Sequence, residues 1–391
     1  MATRLPAQWR IMALFFVHAL AAGAIHTRIP DVQLQVGLSE AELGMVLMGQ
    51  PLGALSMFLF SSRLIEAFGP RKIILWLLPL MTASAALVTV LLHPMAMFIL
   101  LAINGVGFSV TNIAINVEAD RVEAGTGQRI MNTCHGAWSV GFLLTSLLGA
   151  ALRGMHIPPA IHLWAFAPVL IALLLVIVLP MPSAAERAFS GSTGKRKLAW
   201  PTLATMGLVA FGLGAGLMEG ASHAWSIILL RDSFDAPIWV ESMALPALLV
   251  TMALGRLLAD PIIERHGPVK IARLLTSLAI AGLMLVVFSP HYLFAIGGFA
   301  LIGAGICVLY PLMLSAAARL GDRPASENVA ATTLIVQMLN LGAPALIGAT
   351  AQEFGVRMAF AILLPLLMLT WAMAGRLAPS SEHSSLAPAA R

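Results

Sequence analysis

The sequence predicts an all-α polytopic membrane protein, with twelve transmembrane helices arranged as two pseudo-symmetric six-helix bundles. Three observations carry this. Hydrophobic residues make up 59% of the 391 and charged residues only 10%, with a mean hydropathy of +0.90. So few charges cannot coat a soluble globule of this length. Apolar runs long enough for a helix to cross about 30 Å of hydrocarbon recur twelve times. Finally, residues 61–73 (SSRLIEAFGPRKI) return 198 positions later as residues 259–271 (ADPIIERHGPVKI), six of the thirteen being identical, which a duplicated half-chain explains.

The runs lie near 10–29, 42–62, 72–92, 95–117, 130–152, 160–180, 201–223, 238–258, 270–289, 292–315, 327–349 and 356–376. Spans of that length are helices, because barrel strands would be shorter and alternating. Arg4, Arg10 and the following ALAAGA mimic a secretory signal. However, residues 20–29 pair with 217–226 at offset 197, sharing Leu, Gly, Ala and His, so the first span should be retained. The fourth and tenth spans match through Gly105-x-Gly107 and Gly303-x-Gly305, small residues that permit close helix contact. The fifth and eleventh match at offset 199. These boundaries predict an N-terminal bundle over 1–180, a basic cytoplasmic linker over 181–200, a C-terminal bundle over 201–376 and a disordered cytoplasmic tail over 377–391.

With both termini cytoplasmic, the inner segments carry 19 Lys and Arg, against four at outer ends: Arg28, Arg153, Arg231 and Arg357. That asymmetry orients the chain and accounts for its net charge of +5, leaving no case for nucleic acid. Cys134 and Cys307 fall inside spans of different halves, with neither metal spacing nor an expected disulfide.

Polar groups within a span are candidates for function, because hydrocarbon penalises them. Ser109, Asn112 and Asn116 share one face of the fourth span, and Asn132, His135 and Ser139 share one of the fifth, with Trp138 beside them. Asn112 and His135 stand at similar depth in antiparallel neighbours, where they could meet directly. The cluster is either a hydrogen-bonding wall for a polar solute, stacked on Trp138, or a set of interhelical bonds worth about 0.6–2 kcal/mol. His18 sits near mid-membrane as a ligand donor, a proton carrier or a buried neutral ring. His26 and His223, related by the repeat, fall near outer ends, where they sense external pH, line an outer gate, or do nothing special. Glu219 is expected to be the carboxylate within the apolar part of a span, in its outer third; it is either a proton carrier or a structural cap. Tyr310, at the repeat position of Asn112, completes the cavity with Gln337 and Asn340. At the inner face Glu66, Gly69, Arg71 and Lys72, with Glu264, Gly267 and Lys270, form a candidate gate in which Glu66, Arg71 and Lys72 make either ion pairs or helix-end contacts that hold the outward-facing state.

The repeated loop resembles the Gly-x-x-x-Asp-Arg/Lys-x-Gly-Arg-Lys/Arg pattern of the major facilitator superfamily, with Ser62, Glu66, Ala67, Gly69, Pro70 and Arg71 at the pattern's positions. Residues 112–118 (NIAINVE), 135–141 (HGAWSVG) and 218–226 (MEGASHAWS) resemble its fucose-permease-like branch. Where that branch often has acids, this chain has Asn112 and Ala224. The resemblance implies a bacterial inner-membrane permease that moves a small polar or neutral organic solute by alternating access. Its driving partner would be an ion, most simply a proton, and it would work as a monomer in the lipid bilayer with no cofactor or metal. It is not expected to be an enzyme. Proton-driven efflux is the alternative, although residues 136–149 lack the Gly-Pro pattern of efflux antiporters; a non-transporting receptor or scaffold is a reading of another class.

Overall fold

The computed structural model describes residues 6–58, 60–128, 130–181 and 201–378. Almost all of the expected linker and the tail beyond Ala378 lie outside the described residues. Leu377, assigned to the tail from sequence, is instead buried in a closing 3-10 turn.

Among the described residues eleven helices are long and apolar enough to cross a membrane, and a bent pair, taken as one span, makes twelve. In chain order they are α1 (Ala7–Val36), α2 (Glu40–Met57 continued by Ser61–Phe68), α3 (Pro70–Val88), α4 (Pro94–Thr126), α5 (Met131–Gly154) and α6 (Pro159–Val178). The second bundle holds α7 (Leu203–Ser233), α8 (Ile238–His266), α9 (Pro268–Phe288), α10 (Tyr292–Ala318), α11 (Glu327–Phe354) and α12 (Val356–Leu377). The start of α1 and the end of α6 share one face, where Arg10 Nη1 donates to the Pro180 carbonyl at 2.7 Å. We call this the terminal face, and the opposite one the distal face.

The repeated Gly-Pro pair has a local physical cause. Gly69 and Gly267 take φ of 80° and 82°, which ends one helix, and Pro70 and Pro268 open the next at its first position, where no N–H is needed. Of the expected inner-face contacts, a helix-end contact is present in this state and the ion pairs are not. Among the described residues, Glu66 makes no ion pair with Arg71 or Lys72. Arg71 Nη2 donates to the Leu179 carbonyl of its own bundle at 2.6 Å, while Glu66, Lys72, Glu264 and Lys270 are exposed.

The Gly-x-Gly pairs act as close-packing points. A Cβ on Gly105 would collide with the Gln50 carbonyl of α2, and one on Gly107 would meet Leu77 and Met81 of α3. Gly303 and Gly305 meet α8 and α9 in the same way. The repeat is therefore visible as equivalent helix contacts. Gly105→Val forces α2 from α4 and is expected to lower stability by at least about 1–3 kcal/mol, read as a lower melting temperature in detergent and a loss of monodisperse protein.

At the terminal face Asp322 joins α7 to the loop before α11. Its carboxyl accepts from Asn328 Nδ2 at 2.7 Å and Thr202 Oγ1 at 3.2 Å. These bonds, Asn328's first, hold the Asp322 pKa below the usual aspartate value. A depressed carboxylate pKa stabilises the fold above the unfolded value, and that contribution is lost as pH falls through the folded one. Hydrogen exchange at Thr202 and Thr205 is expected to rise below about pH 4, and Asp322→Asn should remove the pH dependence.

Candidate functional site

Where the bundles meet, α5, α7 and α8 enclose a narrow cleft lined by Trp138, Ser139, Phe142, Glu219, His223, Leu249, Met252, Ala253 and Arg256. Glu219 is the seventeenth of the 31 residues of α7, so it lies at mid-helix instead of in the outer third. The helix runs further into the distal face than its hydropathy suggested. Arg256, which charge counting assigns to an inner segment, stands ten residues before the end of α8, about 15 Å along the axis. Its Nη2 faces Glu219 Oε1 at 3.6 Å, and its Nε donates to the Cys307 carbonyl at 2.9 Å. The paired carboxylate and backbone acceptor explain how an arginine is tolerated at this depth. Cys307 and Cys134 are buried and free.

An aromatic and imidazole ladder crosses the cleft. His18 stacks on Phe108 with ring centroids 5.1 Å apart and accepts from Trp138 Nε1 at 3.3 Å. Trp138 stacks on Phe142 at 5.1 Å, which meets His223 at 5.2 Å and His26 at 6.0 Å. His26 and His223 come from different bundles, their rings 6.2 Å apart. His223 is ten residues short of the end of α7, whereas His26 closes the first helical segment of α1 at the Thr27–Arg28 turn; among the described residues His26 Nδ1 and His223 Nε2 are buried without a hydrogen-bond partner. His223 lines the cleft, and His26 faces it across the boundary between the bundles, on the side of the distal seal.

The expected polar wall is mostly satisfied within single helices. Asn116 Nδ2 donates to the carbonyl and Oδ1 of Asn112 at 2.8 and 3.2 Å, and Ser139 Oγ donates to the His135 carbonyl at 3.0 Å. Among the described residues no hydrogen bond joins Asn112 to His135, because α1 stands between α4 and α5. His135 instead lies edge-on to Phe15 at 5.2 Å. Ser109 is half-buried on the face of α4, and Asn132 lies in the first turn of α5. Opposite, Tyr310 is half-buried beside Thr333. Asn340 approaches Gly216 and leaves its buried Oδ1 without a partner, while Gln337 is exposed.

Distally the cleft is sealed by bonds that cross between the bundles. Arg153, nearly fully buried, gives Nε to Asp31 at 2.8 Å, Nη1 to Ser242 at 2.6 Å and Nη2 to Glu241 at 3.4 Å. Asp31 is also held by Arg28 Nη1 at 2.9 Å, and Arg28 Nε donates to His162 Nδ1 at 2.9 Å. Arg231 reaches Gln33 Oε1 at 3.1 Å, and the Ala41 N–H donates to Gln352 Oε1 at 3.1 Å. Gly44 packs on Gly348 where α2 crosses α11. Arg153 and Gln352 occupy repeat-related positions at offset 199, so α5–α8 and α11–α2 are equivalent seams.

Two bundles, a central cleft carrying a charge pair and a seal at one face define a membrane transporter. The family model of the Major Facilitator Superfamily matches residues 11–343, and the chain belongs to that superfamily. It is 28% identical over 367 residues, covering 92% of this chain and 95% of the other, to the uncharacterized transporter y4wD of Sinorhizobium fredii. Among solved structures the nucleoside transporter NupG superposes with a TM-score of 0.75 at 15% identity, covering 95% and 98% of the two chains. A single-site variant of the E. coli fucose:proton symporter FucP superposes at 0.65 with 14% identity over 95% and 98%. At those identities the likeness concerns the fold.

Proposed function

We propose that the protein is a secondary active transporter which takes up a small polar organic solute by alternating access, driven by protons. The observation that carries this reading is the Glu219–Arg256 pair at mid-helix in a cleft between bundles, closed distally by the Arg153 cluster. A carboxyl there is placed to carry the coupling proton where the two bundles must part. The excess of Lys and Arg on the terminal face supports a multi-pass inner-membrane protein with cytoplasmic termini. That orientation makes the distal seal the outer gate, and the chain acts as a monomer. The proton coupling in the name of FucP supports the same driving ion.

The test is uptake of a solute panel into proteoliposomes, with and without an imposed proton gradient. Saturable uptake that grows with the gradient is expected, and Glu219→Gln should abolish accumulation while leaving exchange. Accumulation that survives collapse of every ion gradient would sink proton coupling. Flux only out of the vesicle lumen equivalent to the cytoplasm would favour efflux, and binding without flux would favour a receptor.

A further inference from the structure

We infer that the cleft takes a small organic monocarboxylate, whose charge replaces that of Glu219 on Arg256 while Glu219 takes up a proton. This rests on the transport reading above and names its substrate class. Three observations converge on it.

The first is how Arg256 is held. Its Nε is fixed to the Cys307 carbonyl at 2.9 Å, so the guanidinium keeps its place when Glu219 lets go. The Glu219 contact is a single long one, 3.6 Å, and the two side chains keep 30% and 35% of their surface accessible. Glu219 thus occupies a carboxylate position that a second carboxylate can take.

The second is the remaining lining. Apart from the charge pair, Ser139 and His223, it is Trp138, Phe142, Leu249, Met252 and Ala253. In this state the cleft has a volume of about 10 Å³, room for one water; once the bundles part, such a wall suits an apolar or aromatic body behind one charged head. A polyol would need several free donors, and those of Trp138 and Ser139 are spent on His18 and on the His135 carbonyl.

The third is charge balance. Glu219 faces Arg256 from α8 and Cys307 and Tyr310 from α10, with His223 one turn along its own helix and His135 also within reach of Arg256. In the empty state Glu219 and Arg256 cancel. In the loaded state the proton adds to the Glu219 carboxylate, the Nη2–Oε1 contact breaks, and Arg256 pairs with the substrate anion. The pair's charge is again cancelled, and no covalent bond is made or broken. Anion without proton, or proton without anion, leaves one unpaired charge between the bundles, which low-polarity surroundings strongly disfavour. One proton therefore travels with each monoanion.

The experiment uses the full chain in proteoliposomes with a trapped pH dye and the membrane potential clamped. Gluconate, L-lactate and 4-hydroxybenzoate are compared with neutral myo-inositol and cationic glucosamine. At least one carboxylate is expected to enter with one proton and no net charge. Glu219→Gln should keep carboxylate affinity within about threefold but lose proton movement, whereas Arg256→Gln should lose affinity by about tenfold or more and Arg256→Lys should recover part of it. Flux of myo-inositol or glucosamine with none of any carboxylate overturns the inference and leaves the transport reading standing. Carboxylate flux that carries net charge, or proton movement by Glu219→Gln, also overturns it. No flux of any of the three classes, by protein whose thermal unfolding shows it folded, overturns both.

Discussion

Arg153→Ala is expected to unlatch the distal face. The substitution leaves Glu241 without its main partner and Asp31 with Arg28 alone, in a region where Arg153 is 3% exposed and Glu241 10%. Removing one member of a buried ion pair costs about 3–5 kcal/mol, and the lower end applies because Asp31 keeps Arg28. All of that cost falls on the distally closed state, since the same carboxylates reach water when the bundles part. The closed population should drop on the order of 100-fold relative to the open one. Hydrogen exchange over residues 31–36 and 238–243 is the readout, and protection should be lost there but retained in α3 and α9. Arg153→Lys keeps charge without the fork that reaches Asp31, Ser242 and Glu241 together, so it should be only a partial repair.

Arg256→Gln is expected to abolish transport, with a loss of about 100-fold or more in initial rate, because it removes the cation that pairs with Glu219 and with the substrate anion. Its effect on stability is smaller. Both side chains are about one-third accessible, so solvent screening reduces the cost of stranding Glu219 to about 1–2 kcal/mol. The double variant Arg256→Gln, Glu219→Gln should recover the melting temperature without recovering transport. Recovery of both would mean that the pair serves folding alone.

The architecture was readable in the sequence because membranes impose it. Twelve apolar runs and a 198-residue repeat translate directly into helix number and symmetry. The Gly-Pro and Gly-x-Gly repeats became a turn and a contact point with no loss in translation. The site was legible only in part. His18, Trp138, Ser139, Glu219 and His223 do gather around one cleft, since intramembrane polarity is a real signal. Arg256 escaped because charge counting assigns a basic residue near the end of an apolar run to the inner loop, and α8 continues for ten residues beyond it. The Arg153 cluster escaped for a related reason. The four arginines at outer ends were exceptions to an orientation rule, and each is bound: Arg28 and Arg153 to Asp31, Arg231 to Gln33, and Arg357 Nη1 to the Ser289 carbonyl at 2.8 Å. An exception to the charge rule was itself the signal for a buried partner. The Asn112–His135 meeting fails because helices adjacent in sequence need not pack on each other, and here α1 separates them.

Alternating access about the central cleft is tested most directly by two distances measured on the same protein. Spin labels at Leu34 and Asp235 report the distal face, and labels at Phe68 and His266 report the terminal face. On moving from pH 8 to pH 5, or on adding a transported solute, one distance should lengthen while the other shortens. Two distances that change together, or a distal distance that never opens under any condition, would contradict the account.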